Sequence, residues 1–365
     1  MKITFILPTP NMSGGVRVAG IYADYLVDKG HHVTMVYPPR NVGLAGKFWH
    51  RFWNRTVSTT HLDKCKAIQR VLETPRAVSA SDVPDGDVVI ATWWETAEWV
   101  AKLPPIKGAK VYFIQHHEIF SWLPVERAQK TYLLPMKKIV VARWLKDVMR
   151  DVYGDDEVEL VPNGVDHNLF FAPERGKQAQ PTVGFLYAGA HFKGVDVTLR
   201  AISLLRDRLP SLKVVSFGSE PFKDAKTRQI EFTLNPQQEK LRECYAACDV
   251  WLTASRSEGF NLPALEAMAC RTPVVSTRTG WPEEAILPGV NGWLVDVDDH
   301  VGLYKAAANV LAQPDESWKM LSDAAYQTAA GCSWNRSSAL FERILVDVAT
   351  ENAAAFNSKN ADHHF

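Results

Sequence analysis

A chain of 365 residues, 46% hydrophobic and 22% charged, is too long for one ordinary core and suits two domains of roughly 150 to 200 residues each. Its 41 basic and 41 acidic residues cancel, which gives no bulk affinity for polyanions. The split is uneven: residues 1–165 carry 21 Lys and Arg against 17 Asp and Glu, and the remainder 20 against 24, so the N-terminal half is the better candidate to meet an anionic surface. Five cysteines, odd in number and without CxxC spacing, read as reduced thiols of a cytosolic protein; Cys244 and Cys248, four apart in a helical pattern, read as small buried side chains. MKITFILP is a first strand rather than a signal peptide, and no apolar stretch reaches transmembrane length, so a cytoplasmic location is expected.

In chain order, Lys2 to Pro8 is a buried-strand pattern followed by the loop TPNMSGG, a helix from about Val16 to Lys29 ended by Gly30, and the strand HHVTMVYP. Strand, glycine loop, helix, strand is how a Rossmann-like domain begins. Further strands are expected at Asp87–Thr92, Lys110–Ile114 and Lys138–Ala142, the last running into a helix near Trp144–Tyr153. PERGKQAQP (Pro173 to Pro181) is polar and proline-bounded, the best linker candidate, and the pattern then restarts. Pro181–Gly189 and Leu212–Gly218 read as strands flanking the amphipathic helix DVTLRAISLLRDRL. A helix around Gln237–Cys248, a strand at Gly292–Val297 and a helix at His300–Ala312 follow. Gly331–Ala349 is a capped amphipathic helix with no strand after it, and residues 351–365 lack apolar periodicity and are expected to fray.

The most informative stretch is SRSEGFNLPALEAMACRTPVVS (Ser255 to Ser276), which sets Glu258 and Glu266 eight residues apart between the strand runs VWLTAS and PVVST. This is a βαβ unit whose loop emerges at the carboxyl edge of a parallel sheet, where open α/β sheets bind ligands. Asn261 is a good N-cap and Pro263 is tolerated in the first turn, so the helix starts there. Its free N–H groups and positive dipole end favour an anion such as a diphosphate, and the two glutamates can accept from hydroxyls on either side of it. That is the layout of a nucleotide sugar. A solvated surface charge is the ordinary reading for one Glu alone.

The segment EGFNLPALEAMA closely resembles the Glu-x7-Glu signature of retaining glycosyltransferases of family 4, the group 1 glycosyltransferases. The resemblance implies an α/β protein of the GT-B fold: two Rossmann-like domains facing across a deep cleft, with the C-terminal helix crossing back to the N-terminal domain. It sets an N-terminal acceptor-binding domain at residues 1–166 plus 334–357 and a C-terminal nucleotide-sugar-binding domain at 167–333. It implies that Glu258 holds donor-sugar hydroxyls and Glu266 the nucleotide ribose, with the backbone of Gly259, Phe260, Asn261 and Leu262 approaching sugar and phosphate. Lys193, in FKGVD, matches the family's diphosphate lysine. The arginine usually a few residues earlier is Ala190 here, so the missing charge falls to Arg143, Arg256 or Arg17. The Asn11–Gly15 loop lacks the GxGxxG order of a dinucleotide fingerprint, which disfavours hydride transfer. In the family such a Gly-Gly loop closes over donor phosphates and acceptor, which marks Gly14 and Gly15.

Gln115, His116, His117 and Glu118 follow directly on a strand, where polar residues belong to the cleft edge more often than to the core. The family carries a His or Asp near this point at the reaction centre. His116 is the choice for the reaction centre; adjacent residues on a strand face opposite ways, counting does not settle which of the two points inward, and His117 is set with Gly14, Gly15 and Arg17 as an acceptor or phosphate-loop residue. No ligand spacing accompanies them, so zinc is not expected, and the resemblance implies no metal and no cofactor beyond the nucleotide-sugar substrate. LAGKFWHRFWNR (Leu44 to Arg55) groups four aromatics beside basic residues, the composition of an interfacial helix, an acceptor lip or a docked loop. The expected activity is retaining transfer of a sugar to an acceptor hydroxyl in cell-surface polysaccharide or glycolipid assembly. The expected partners are a nucleotide-sugar donor and a glycan or lipid-linked acceptor, with peripheral inner-membrane contact through residues 44–55 and no nucleic acid. A GT-B epimerase or phosphorylase, and a nucleotide-sugar-binding protein with little turnover, are the alternatives.

Overall fold

A computed structural model describes residues 1–39 and 60–361, with side chains to residue 355; the stretch 44–55 lies outside the described residues. The chain divides into two compact units, residues 1–162 with 335 onward, and residues 163–334.

In the first unit the strands β1 (Lys2–Ile6), β2 (His32–Tyr37), β3 (Ile68–Val71), β4 (Val88–Ala91), β5 (Ala109–Ile114), β6 (Lys137–Val140) and β7 (Glu159–Leu160) form one parallel sheet in the order β3-β2-β1-β4-β5-β6-β7. Helices α1 (Gly14–Asp28), α2 (Trp94–Ala101), α3 (Val125–Thr131) and α4 (Arg143–Tyr153) cover it. Central strands such as VVIA of β4 are buried throughout, as strands with helices on both faces must be. The chain reverses its direction of growth between the neighbours β1 and β4, which makes their carboxyl ends the switch point of this sheet.

The second unit repeats the plan with β8 (Thr182–Tyr187), β9 (Lys213–Gly218), β10 (Glu231–Leu234), β11 (Val250–Thr253), β12 (Val274–Thr277) and β13 (Gly292–Val295), all parallel in the order β10-β9-β8-β11-β12-β13. Helix α5 (Val195–Arg208) packs with α9 (His300–Ala312). On the other face α7 (Leu262–Ala269) packs with α6 (Gln238–Ala246) and α10 (Asp315–Ala330), and the short α8 (Trp281–Ala285) follows β12. Val183, Phe185, Leu205, Leu252, Val275, Leu303 and Trp318 belong to one buried cluster. The helices leaving β8 and β11 thus lie on opposite faces, and the switch point here is between those two strands.

The final helix α11 (Trp334–Ala361) belongs to the first unit from residue 335 on. There Phe341, fully buried, stacks on Tyr22 at 4.4 Å between centroids and meets Phe113 at 5.2 Å. Glu342 pairs with His31 at 2.8 Å, and the Ser337 hydroxyl donates to the Pro162 carbonyl. The helix also runs past Ala349, where its apolar stripe stops and fraying was expected. Residues 350–355 (TENAAA) are exposed, but the segment contains no breaker and is rich in alanine, the strongest helix former. Replacing Phe341 by Ala should remove a packed ring from the first unit and lower stability by about 3 to 5 kcal/mol. A denaturant melt in which the variant unfolds with the wild-type midpoint would show that the helix is not integral to that core.

Candidate functional site

The switch point of the second sheet brings two βα turns together. After β8 the chain passes Ala190 into a short helical turn at His191–Lys193; after β11 it runs through Ser255 to Asn261 into α7. The turns are joined by the Arg256 N–H donating to the Phe192 carbonyl at 2.7 Å. Gly194 lies in the left-handed region (φ +61°), and a Cβ there would fall 1.8 Å from the Ala254 oxygen, so only glycine allows this approach. The result places Lys193 against Glu258: Nζ donates to Oε1 at 2.8 Å, and the Ser255 hydroxyl donates to the same oxygen at 2.7 Å. Glu258 is 8% exposed.

The turn after β12 braces this loop from behind. Thr277 Oγ1 donates to the Ser255 carbonyl at 2.6 Å, the Trp281 N–H donates to the Phe260 carbonyl at 2.8 Å, and the two rings stack at 5.6 Å. Gly280 (φ +65°) fits because a Cβ would sit 2.7 Å from the Phe260 oxygen and 3.0 Å from Glu258 Cβ. Gly259 and Phe260 are buried in this braced segment, and Leu262 opens α7. Asn261 caps α7 as its position predicts, its Oδ1 accepting from the Ala264 N–H at 3.4 Å and its amide donating to Thr253 Oγ1 at 3.0 Å. It does so at φ +80°, a conformation asparagine tolerates better than most residues. Glu266 lies farther along α7, 4% exposed, and accepts from the buried Tyr245 hydroxyl at 2.8 Å.

Arg256 is placed near these groups but is held by carboxylates. Its Nε donates to Asp298 at 2.7 Å, and its terminal nitrogens reach Asp196 at 2.9 and 3.0 Å and the His191 carbonyl at 2.6 Å. The Arg256 hydrogen bonds hold the Asp196 carboxyl down to about 2. Two carboxylates thus already match the Arg256 charge.

In the first unit Gly14 and Gly15 fall within the first turn of α1 rather than in the loop before it, with Arg17 one residue beyond the next. Asn11 Oδ1 accepts from the Ser13 N–H at 2.8 Å and so shapes the entry to that helix. The Gln115 amide, at the end of β5, donates to the Gly15 carbonyl at 3.1 Å. The His61 ring lies 3.3 Å from the Met12 carbonyl, a neighbour of this loop with no local motif to announce it.

His116 and His117 diverge. His116 Nδ1 donates to the His117 carbonyl at 3.0 Å, while its ring meets Phe120 at 4.8 Å and Trp144 edge-on at 6.2 Å. His117 turns to Tyr153, sharing a 2.8 Å hydrogen bond, and packs on Tyr132 at 5.3 Å. Burial, with His116 beside it, lowers the His117 imidazolium to about 4. Glu118 goes fully inside, accepting from the Trp94 N–H at 2.8 Å, and burial holds its carboxyl well above the usual range. Arg143 is the first, exposed residue of α4. Among the described residues no three His, Cys, Asp or Glu side chains group as a metal centre would require.

The fold is that of the GT-B glycosyltransferases. The structure overlays sucrose-phosphate synthase from Thermosynechococcus elongatus with a TM-score of 0.74 at 15% identity, over 96% of this chain and all of that one. It overlays HepE of Anabaena, solved with UDP and glucose, with a TM-score of 0.73 at 17% identity over 95% and all of the two chains. Residues 180–313 match the family model described as glycosyl transferases group 1, and over that segment the chain is similar to the group 1 glycosyltransferases. By sequence it is 27% identical over 288 residues to the GDP-mannose-dependent alpha-(1-6)-phosphatidylinositol monomannoside mannosyltransferase of Mycolicibacterium smegmatis, covering 69% of this chain and 75% of that protein. It is 34% identical over 211 residues to the D-inositol 3-phosphate glycosyltransferase of an Arthrobacter species, covering 51% of this chain and 49% of that one. The chain spans about half the length of the D-inositol 3-phosphate glycosyltransferases it matches.

A histidine lowered toward 4 stays neutral in the folded protein while the unfolded chain takes up a proton below about 6.5. Its neutral burial therefore supports the fold above that value, and the support is lost as pH falls from 6.5 toward 4. Melting temperature should drop over this window by less in His117→Phe than in the wild type; equal slopes would show that His117 titrates freely.

Proposed function

We propose that the protein is a retaining, metal-independent glycosyltransferase of family 4 that moves a sugar from a nucleotide donor to an acceptor hydroxyl. The observation that carries this reading is the grouping at one switch point of Lys193, Glu258 and the capped N-terminus of α7, with Glu266 on the same helix. A diphosphate is matched by a lysine and the N–H groups of a helix start. Carboxylates that accept from hydroxyls are then available for sugar and ribose, Glu258 for the first and Glu266 for the second.

In this reading Lys193 leaves Glu258 for the diphosphate, and Glu258, still held by Ser255, turns to the donor sugar. The acceptor hydroxyl attacks on the face from which the diphosphate departs, and a phosphate oxygen takes its proton. Glu258 stabilises charge without forming a covalent bond. The first unit binds the acceptor through Gly14, Gly15 and His116. Arg17 is the cation of that unit next to the glycine turn. Arg256 is a poorer phosphate ligand than its position in sequence suggests, because Asp196 and Asp298 hold it.

The names of these two relatives specify phosphatidylinositol monomannoside and D-inositol 3-phosphate. They support a cyclitol or glycolipid acceptor here, and with it work on the cytoplasmic face of a membrane in assembly of cell-surface glycans. No described helix is long and apolar enough to cross a membrane, so contact with lipid would be peripheral and would fall to the basic, tryptophan-rich residues 44–55.

Calorimetry against UDP, GDP, ADP and dTDP and their sugars tests the donor site. Glu266→Ala should weaken the preferred nucleoside diphosphate by about 1.5 to 3 kcal/mol, the worth of hydrogen bonds to a charged group. Glu258→Gln and His116→Ala should lower kcat by roughly 10²-fold with little change in nucleotide affinity. Turnover that needs added divalent metal, or a product of inverted anomeric configuration by NMR, would sink the mechanism.

Vesicle sedimentation tests the membrane reading. Binding to anionic vesicles should weaken with salt, each basic residue contributing about 1 kcal/mol near the surface, and weaken again in Trp49→Ser/Trp53→Ser. A protein that stays in the supernatant at low salt has a water-soluble acceptor.

A further inference from the structure

A carboxylate that is to accept from two neighbouring hydroxyls must be held in one plane, and a buried one must also be given donors. Glu266 receives one donor from Tyr245, 21 residues earlier, near the end of α6. The phenol is fixed on several sides. Tyr245 is fully buried, its ring edge-on to Trp251 at 4.6 Å and to Phe217 at 5.5 Å, with Phe170 at 6.1 Å. Its carbonyl accepts from Thr272 Oγ1 at 2.7 Å, tying the same turn to the end of α7. Rotation about the ring axis leaves the hydroxyl where it is, so the donor to Glu266 Oε2 is stationary.

The choice of a phenol has a chemical meaning. A lysine or arginine in this place would orient the carboxylate but also cancel its charge. A neutral hydroxyl orients it and leaves its charge in place, and a carboxylate offers about four lone-pair sites. We infer that Tyr245 is a positioning residue for nucleotide recognition: it holds Glu266 in the rotamer that accepts from the vicinal diol of a ribose and thereby gives the site its preference for ribonucleotides. The inference rests on the proposed placement of Glu266 at the donor ribose.

The test compares the best-bound of UDP, GDP and ADP with its 2′,3′-dideoxy counterpart by calorimetry. The wild type should prefer the ribonucleotide. Tyr245→Phe keeps the ring and should reduce that preference about fivefold to tenfold while leaving the dideoxy affinity unchanged. A purely structural tyrosine would weaken both ligands alike or neither, and either result overturns the inference. Because Tyr245→Phe leaves a buried carboxylate short of a donor, Glu266→Gln and the double variant Tyr245→Phe/Glu266→Gln provide a second measurement. These two should show the same reduced preference, and a further fall in the double variant would mean that Tyr245 acts without Glu266. A ribose preference that survives Glu266→Gln in full removes Glu266 from the ribose and this inference with it. A preference lost in Glu266→Gln but kept in Tyr245→Phe overturns the inference alone.

Discussion

The second unit is organised by a topological fact: β8 and β11 are hydrogen-bonded neighbours whose following helices lie on opposite faces of the sheet. Two loops that leave adjacent strands in opposite directions open a notch between them, and no side chain is needed to prop it apart. Lys193 and Glu258, 65 residues apart in sequence, meet because each is carried by one of those loops. The hydrogen bond from Arg256 to the Phe192 carbonyl and the close passage of Gly194 under Ala254 then set how near the loops come. The functional groups are in this sense consequences of strand order.

Around that notch the backbone takes its less common conformations. Gly194, Asn261 and Gly280 all have positive φ, and all three lie on or against the segment from Ser255 to α7. Such residues persist only where their surroundings over-determine them. Here the surroundings are the stacked pair Phe260 and Trp281, the Thr277 hydroxyl, and the Thr253 hydroxyl under the cap. A loop built this way is stiff before any ligand arrives, so little ordering remains to oppose binding.

Much of the architecture was legible because parallel strands buried on both faces read as short β-branched runs: ITFI, VVIA, KIVV and VVST stand out without any partner in view. The edge strands β3 and β10 were not. Ile68–Val71 is exposed throughout and Glu231–Leu234 nearly so, and neither carries the apolar signal that burial imposes. Helix α10 also escaped, since DESWKMLSDAAYQTAA offers few large apolar residues and leans on Trp318 and small side chains. Within the candidate site, Glu258 and Glu266 were visible because one short motif contains both. Their companions were hidden for the opposite reason. Tyr245 touches Glu266 only through the fold, and Ser255 precedes Glu258 in a spacing that imitates a helix cap. Gly280 earns its conformation from a loop on the neighbouring strand.

The Lys193–Glu258 pair also governs what the notch looks like from a distance. Two opposite charges 2.8 Å apart form a small dipole whose field dies away quickly in water, and the nearby Arg256 is likewise matched by Asp196 and Asp298. In the proposed donor site these matched pairs would add little long-range steering, which would raise encounter rates for every phosphate compound in solution. Attraction begins at contact, when one molecule supplies a new partner for the lysine and another for the glutamate. Inorganic phosphate would supply only the first, and would leave a buried carboxylate behind. In the proposed donor site the ion pair would act as a filter on ligand composition, passing molecules that carry charge and hydroxyls together.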